Sequence, residues 1–313
     1  MEIKNVEEIA GLKILLQIDE DISPVDWAKN NKDFVESFLS TEGALLIRGF
    51  KNVDENEFGE ILGNLFGEEL LDYTYRSTPR TELKNKVYTA TEYHPSETIP
   101  QHNENAYSNA WPMRIGFLCV TVAQKLGNTP ISDSRLAYQK IPKEIRDEFE
   151  RKGIMYVRNY SDIDLPWTEV FQTNDKSEVE NFCRKNNIDF EWTENGLRTK
   201  QTNQASISHP VTNDKLWFNQ AHLFHVSSLE EEIQEGLIEL LGEENLPRNA
   251  YYGDGTPIDL ETLALIRNVY EDTKVTFQWE KNDLLILDNM LYTHGREPFE
   301  GPRKILVGMG RKY

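Results

Sequence analysis

The sequence predicts a mainly β chain braced by helices, and three observations predict it. The C-terminal stretches "KVTFQWE", "DLLILDNMLYTHG" and "RKILVGMG" are alternating or continuous β-formers separated by turn residues. From about residue 86 to 135, "KVYTATEY", "RIGFLCVTVA" and "TPISDS" read as strands punctuated by Pro95, Pro100, Pro112 and Pro130. Helical patterns fall mostly near the N-terminus and in the middle. Strands therefore flank a helical middle, and the two ends are expected to pair into facing sheets with helices outside.

In chain order, Ser23 or Pro24 opens the helix "PVDWAKNNKDFVESFLS", because serine caps a first turn and proline fits its first position. The apolar "ALLIRGF" at 44–50 follows as a strand, then the helix "DENEFGEILGNLFG", then the strands of 86–135. Two short helices come next, "PKEIRDEFERKG" and "DKSEVENFCRKN". A third, "SSLEEEIQEGLIELLG", crowds its acids into the first turns, where the helix dipole favours them. These are expected to form a helical insertion at about 142–245 within a single domain spanning 1–313, since no linker or internal repeat divides the chain.

Composition narrows the function classes. The chain has 313 residues, 38% of them hydrophobic, enough for a sizeable core. Its 53 acidic against 34 basic residues give a net charge of -19, a field that repels nucleic acid and anionic lipid. No apolar run approaches the roughly 18 residues of a membrane span, and the N-terminus lacks a signal-peptide pattern, so no membrane partner and a cytoplasmic location are expected. Cys119 and Cys183 are too few for a thiolate zinc site, so any metal must take nitrogen and oxygen ligands.

"QHNENAYSN" then stands out. In an extended segment the side chains of His102 and Glu104 share a face, so a His-x-Glu offers one nitrogen and one oxygen to a single point. A second imidazole must come from His94, His209, His222, His225 or His294. His294 is the best placed, ending a strand-like run before Gly295. His222 and His225 compete, since on a helix their spacing would also place them on one face, but the HExxH base glutamate of a zinc hydrolase is missing.

The stretches "ALLIRGF", "TPRTELKNKVYTATEYHPSETIPQHNENAYSNAWP", "TPISDSR", "WFNQAHLFH" and "DNMLYTHGREPFEGPRKILVGM" resemble the taurine dioxygenase-like (TauD/TfdA) family of iron(II)/2-oxoglutarate oxygenases. The branch is that of the clavaminate synthase-like proteins and syringomycin-type aspartyl hydroxylases. The resemblance implies a double-stranded β-helix, a cupin-like jelly roll. It makes His102, Glu104 and His294 the iron ligands, with Glu104 where many members carry aspartate. It also implies 2-oxoglutarate and O2 as co-substrates, and hydroxylation of an unactivated C–H bond, with desaturation or cyclisation as alternatives. A zinc hydrolase and a non-catalytic β-barrel binding protein are the competing classes.

The same resemblance places Arg303, nine residues after His294, on the distal carboxylate of 2-oxoglutarate, and Thr129, 27 residues after His102, beside it. A planar guanidinium suits a carboxylate bidentately. Arg296 and Arg311 are the alternatives to Arg303. Taurine-specific members carry an arginine four residues further on, where this chain has Val307. Arg80, Asn105, Tyr107, Asn219 and His222 are placed around the mouth, suiting an amino-acid backbone or amide. The substrate is then an amino acid or a derivative in natural-product biosynthesis, free or tethered to a carrier protein. Acidic carriers would meet long-range repulsion unless Arg80, Lys84 and Lys86 compensate.

Overall fold

The run Leu284–Asp288 is buried at every position, as a strand covered on both faces must be. It pairs antiparallel with Ala44–Arg48 on one side and Pro112–Thr121 on the other. Around it a seven-stranded sheet runs in the order Glu7–Ile9, Leu12–Gln17, Ala44–Arg48, Leu284–Asp288, Pro112–Thr121, Lys304–Lys312, Val87–Thr89. This is a computed structural model, and it describes residues 6–313 apart from 19–21, 74, 76, 162 and 195.

Because side chains alternate across a strand, this sheet feeds two cores. Leu284, Ile286, Leu118 and Leu306 pack beneath the helices Pro24–Thr41 and Glu55–Phe66, against Leu39, Leu62 and Leu65. Leu285, Leu287, Ile115, Phe117, Ile305 and Val307 face inward. Both helices start where sequence chemistry places them: Ser23 Oγ accepts from the Asp26 amide at 3.3 Å, and Asp54 and Glu57 form a capping box.

The inward face is closed by a second sheet of Ile99–His102, Tyr292–Arg296 and Ile131–Asp133. One continuous β-forming run therefore serves both sheets, and it must break between them. Asp288 makes the break: its Oδ1 accepts from the amides of Met290 and Leu291 at 2.9 and 3.1 Å, closing a turn. Its Oδ2 takes Arg114 at 2.5 Å and His209 at 3.1 Å. Burial would raise the carboxyl's pKa, but His209 and Arg114 outweigh it and hold it below the usual range. The result is a double-stranded β-helix core flanked by helices.

Two expectations need correction. The stretch 142–245 is mixed rather than helical. It holds the expected helices Lys143–Lys152, Lys176–Lys185 and Glu231–Leu241, but also strands Ile154–Tyr160, Asp189–Thr193 and Gly196–Asn203. With Arg248–Tyr252 these make a four-stranded sheet. The strand "GLRTKQTN" buries Leu197, Thr199, Gln201 and Asn203 on one face, so a mostly polar face goes inward and no hydrophobic alternation betrays it. "KVTFQWE" forms no ladder. It leaves the unforeseen helix Leu260–Thr273 directly, makes one bridge from Val275 to Ile131, and supplies Phe277 and Trp279 to the inner core.

Candidate metal centre

Folding brings His102 and His294 into direct register: they are opposite partners in the antiparallel pair of Ile99–His102 and Tyr292–Arg296. Their ring centroids lie 4.4 Å apart. Gly295 permits this closeness, since a Cβ there would meet the Ile99 carbonyl oxygen at 2.6 Å. Glu104 arrives differently from expectation. The strand ends at His102, and Glu104 sits in the turn that follows, with Asn105 in the left-handed region at φ 58°.

What holds the turn is a set of buried amides that sequence reasoning missed. Asn289 accepts from the Glu104 amide at 2.7 Å and donates to the Glu104 and Pro112 carbonyls at 3.0 and 2.8 Å. Asn103 donates to the Asn289 carbonyl at 2.7 Å, and Gln220 to the Asn103 carbonyl at 2.7 Å. The one available signal was "DNM", a polar pair interrupting an apolar run.

Among the described residues, His102, Glu104 and His294 are the one grouping of His, Cys, Asp or Glu able to hold a metal, with ligand atoms all within 4.8 Å of one another. All three are buried. The donor set fits a divalent cation of the iron type, two imidazoles and a carboxylate on one side. His102 Nδ1 lies 2.8 Å from the Pro100 carbonyl, which can only accept, so Nδ1 carries the proton and Nε2 keeps its lone pair. The His294 ring makes no hydrogen bond among the described residues: its Nδ1 has no partner, and its Nε2 is 3.8 Å from Glu104 Oε2. Nε2, facing Glu104 with no hydrogen bond of its own among the described residues, is the nitrogen a metal would take. Burial lowers the pKa of His102, and burial with His102 and Arg80 nearby drives His294 well below its ordinary value, so both are neutral, the form that ligates.

His102 and His294 open onto a cleft lined by Arg80, Thr91, Phe117, Thr129, Arg303 and Val307, among others. Arg303 donates from Nε to the Gly127 carbonyl at 2.7 Å and from Nη2 to Thr129 Oγ1 at 3.3 Å. Gly127, at φ +75°, leaves the space: a Cβ there would meet Arg303 Cδ at 3.1 Å and Phe299 Cβ at 2.8 Å. Trp279 Nε1 also donates to Thr129 Oγ1, at 3.2 Å, so that hydroxyl accepts twice and its own proton is left to donate. Burial, reinforced by Arg296, lowers the Arg303 pKa to about 10, which keeps it a cation at neutral pH.

The alternatives to Arg303 are engaged elsewhere. Arg296 lines the same cleft but donates to the carbonyls of Thr91, Tyr93, His94 and Glu97, while Arg311 bonds the Phe66 carbonyl and pairs with Glu36.

Of the residues expected at the mouth, Arg80 alone lines this cleft. Tyr107 packs against the rings of Tyr75, Tyr156 and Phe224 and donates to the Tyr75 carbonyl at 2.6 Å, and Asn105 accepts from it at 3.2 Å. Asn219 bonds the Ala205 carbonyl and the Ala221 amide. His222 lies behind the His102 strand, donating from Nε2 to the Gln101 carbonyl at 2.9 Å, with burial pulling its pKa down to about 4. His225 bonds Ser227, and neither joins a metal grouping.

The geometry agrees with comparisons to known proteins. The family model for the taurine catabolism dioxygenase TauD, TfdA family matches residues 11–309. The dapdiamide synthesis protein DdaC of Enterobacter agglomerans is 43% identical over 277 residues, covering 88% of this chain and 84% of that protein. A clavaminate synthase-like protein of Arabidopsis thaliana is 30% identical over 295 residues, covering 90% and 85%. Two solved structures share the fold. PvcB of Pseudomonas aeruginosa superposes with a TM-score of 0.54 at 16% identity, covering 95% of this chain and 86% of that one. An asparagine oxygenase bound to Fe(II), hydroxyasparagine and succinate gives 0.56 at 14% identity, covering 91% and 83%.

Proposed function

The chain belongs to the TauD/TfdA family of iron(II)/2-oxoglutarate-dependent oxygenases, and from that premise we propose that it hydroxylates an unactivated C–H bond of an amino acid or amino-acid derivative in natural-product biosynthesis. The observation that carries this reading is the convergence of His102, Glu104 and His294 to within 4.8 Å, with both histidines lining the cleft that Arg303 and Thr129 also line. In it, the triad holds iron(II), Arg303 forks onto the distal carboxylate of 2-oxoglutarate, and the Thr129 hydroxyl donates to the same group.

When bound, iron couples decarboxylation of 2-oxoglutarate to succinate with transfer of one oxygen atom of O2 to the substrate. The chain's own residues bind, orient and exclude water. The Pro100 carbonyl fixes the His102 tautomer. Phe117, Ile305 and Val307 give the cleft an apolar wall on which side reactions with water are suppressed. Val307 also argues against taurine, since that wall offers no donor to a sulfonate. The name of the 43% identical relative, a dapdiamide synthesis protein, supports a role in biosynthesis.

Incubating the iron-loaded protein with 2-oxoglutarate, oxygen and a panel of amino acids should yield one that gains a single oxygen, seen by mass spectrometry. A purified protein that retains neither iron nor 2-oxoglutarate would refute the reading. Whether the substrate is free or carrier-borne is decided by presenting the same amino acid in both forms.

The amide clamp makes a separate prediction. Asn289→Ala removes three hydrogen bonds that set the Glu104 turn, and loss of such outer support typically weakens metal binding about 10–100-fold. Competition with a chelator should show that loss in a variant whose circular dichroism is unchanged. Wild-type affinity in that variant would mean that the clamp does not position Glu104.

A further inference from the structure

Arg80 is held by the site without being satisfied by it. It is 7% exposed, and Nη2 donates to Glu104 Oε2 at 2.7 Å. Its Nε and Nη1 are buried without a hydrogen-bond partner, and the side chain lines the same cleft as His102, His294 and Arg303. The Tyr73 ring lies 4.6 Å from the guanidinium and fixes it from one side. A planar fork buried with one acceptor for its donors is costly unless something fills the remainder.

Charge points to what fills it. Among the described residues Glu104 is the one carboxylate paired with Arg80, and the metal reading assigns that carboxylate to iron as well. Arg80, Arg296 and Arg303 together carry three positive charges, Glu104 cancels one, a divalent metal adds two, and 2-oxoglutarate removes two. Two positive charges are left in the cleft.

We propose that Arg80 is the substrate anchor, its Nε and Nη1 binding a carboxylate of the substrate while Nη2 keeps Glu104 in place. The substrate class is then an acid, not an amide or an amine. This rests on the iron and 2-oxoglutarate reading above. One other carboxylate has the right chemistry, the metal-proximal one of 2-oxoglutarate itself, and the test separates the two.

Wild-type protein, Arg80→Gln and Arg80→Lys are loaded anaerobically with iron(II). 2-Oxoglutarate is titrated in, followed by its metal-to-ligand charge-transfer band, and then acetate or acetamide is added as a probe of the vacant donors. The expected result is a charge-transfer band in all three proteins, since glutamine and lysine each keep an N–H donor for Glu104. Acetate should shift it in wild type where acetamide does not. In Arg80→Gln the acetate response should weaken at least about tenfold, with Arg80→Lys between, since an ammonium keeps the charge without the fork.

A band that ignores acetate in wild type overturns the proposal without any variant, so it stands or falls even if Arg80→Gln does not fold. So does an acetate response that persists in Arg80→Gln, which would place acetate on the metal alone. Loss of 2-oxoglutarate affinity in Arg80→Gln would give the donors to the co-substrate instead. No charge-transfer band in wild type would remove the underlying oxygenase site, a failure distinct from the others.

Discussion

Glu104→Ala should abolish hydroxylation and weaken iron binding by well over a hundredfold, because it removes one of three protein ligands and the only negative one, a larger loss than the roughly 10–100-fold typical of outer-shell support. The same change strands Arg80, whose 2.7 Å partner is that carboxylate. Breaking a buried pair by deleting one member typically costs about 3–5 kcal/mol, so a lower melting temperature should accompany the loss of metal. Glu104→Gln separates the two effects: it keeps the volume and an acceptor for Arg80 but removes the charge from the metal. Glu104→Asp should retain part of the activity, since a carboxylate remains on the same turn. Chelator competition and succinate release measure both. An alanine variant that hydroxylates like wild type would show that Glu104 is not a ligand.

Arg303→Ala is the second large effect. A charge-assisted fork inside the barrel should be worth much more than a hydroxyl contact, with removal of one partner costing about 2–5 kcal/mol against about 0.5–1.5 for a neutral bond. The 2-oxoglutarate requirement should rise well over tenfold with iron binding kept, while Thr129→Val raises it a few-fold. Thr129→Val also leaves Trp279 Nε1 and Arg303 Nη2 short of an acceptor, so some loss of stability is expected with it. Arg303→Lys should recover only part, since lysine cannot also reach the Gly127 carbonyl in the same planar geometry. Unchanged 2-oxoglutarate affinity in Arg303→Ala would move the role to another cation, and Arg296, already donating to four carbonyls in the same cleft, would be the first to test.

Local chemistry made much of the fold legible before any coordinates. The cap Ser23 marks a helix start because it satisfies an amide that the helix leaves unpaired. The runs at 44–48, 112–121, 284–288 and 304–312 announce buried strands because a strand covered on both faces can be apolar throughout. The family stretches likewise pointed to His102, Glu104 and His294, residues that carry their chemistry in their type and order. The same local rules failed where a buried face is polar. "GLRTKQTN" hides Thr199, Gln201 and Asn203, and no pattern of hydrophobicity can report a face stabilised by hydrogen bonds instead of apolar area.

By itself, then, the sequence determined which residues have ligand chemistry, where most helices and strands lie, and that the overall field is acidic. Only the tertiary structure decided which of them meet. His102 and His294 are separated by almost two hundred positions, yet one antiparallel register sets them opposite each other. That register depends on the Asp288 turn, which sends one β run into two sheets, and on the absence of a side chain at Gly295. The tertiary structure also took Tyr107, Asn219 and His222 out of the cleft lining and left Arg80 in it with two unfilled donors. The physical reason is the same in each case. A side chain's type limits the bonds it can make, but whether it makes them to its own fold or keeps them for a ligand depends on partners supplied from distant parts of the chain.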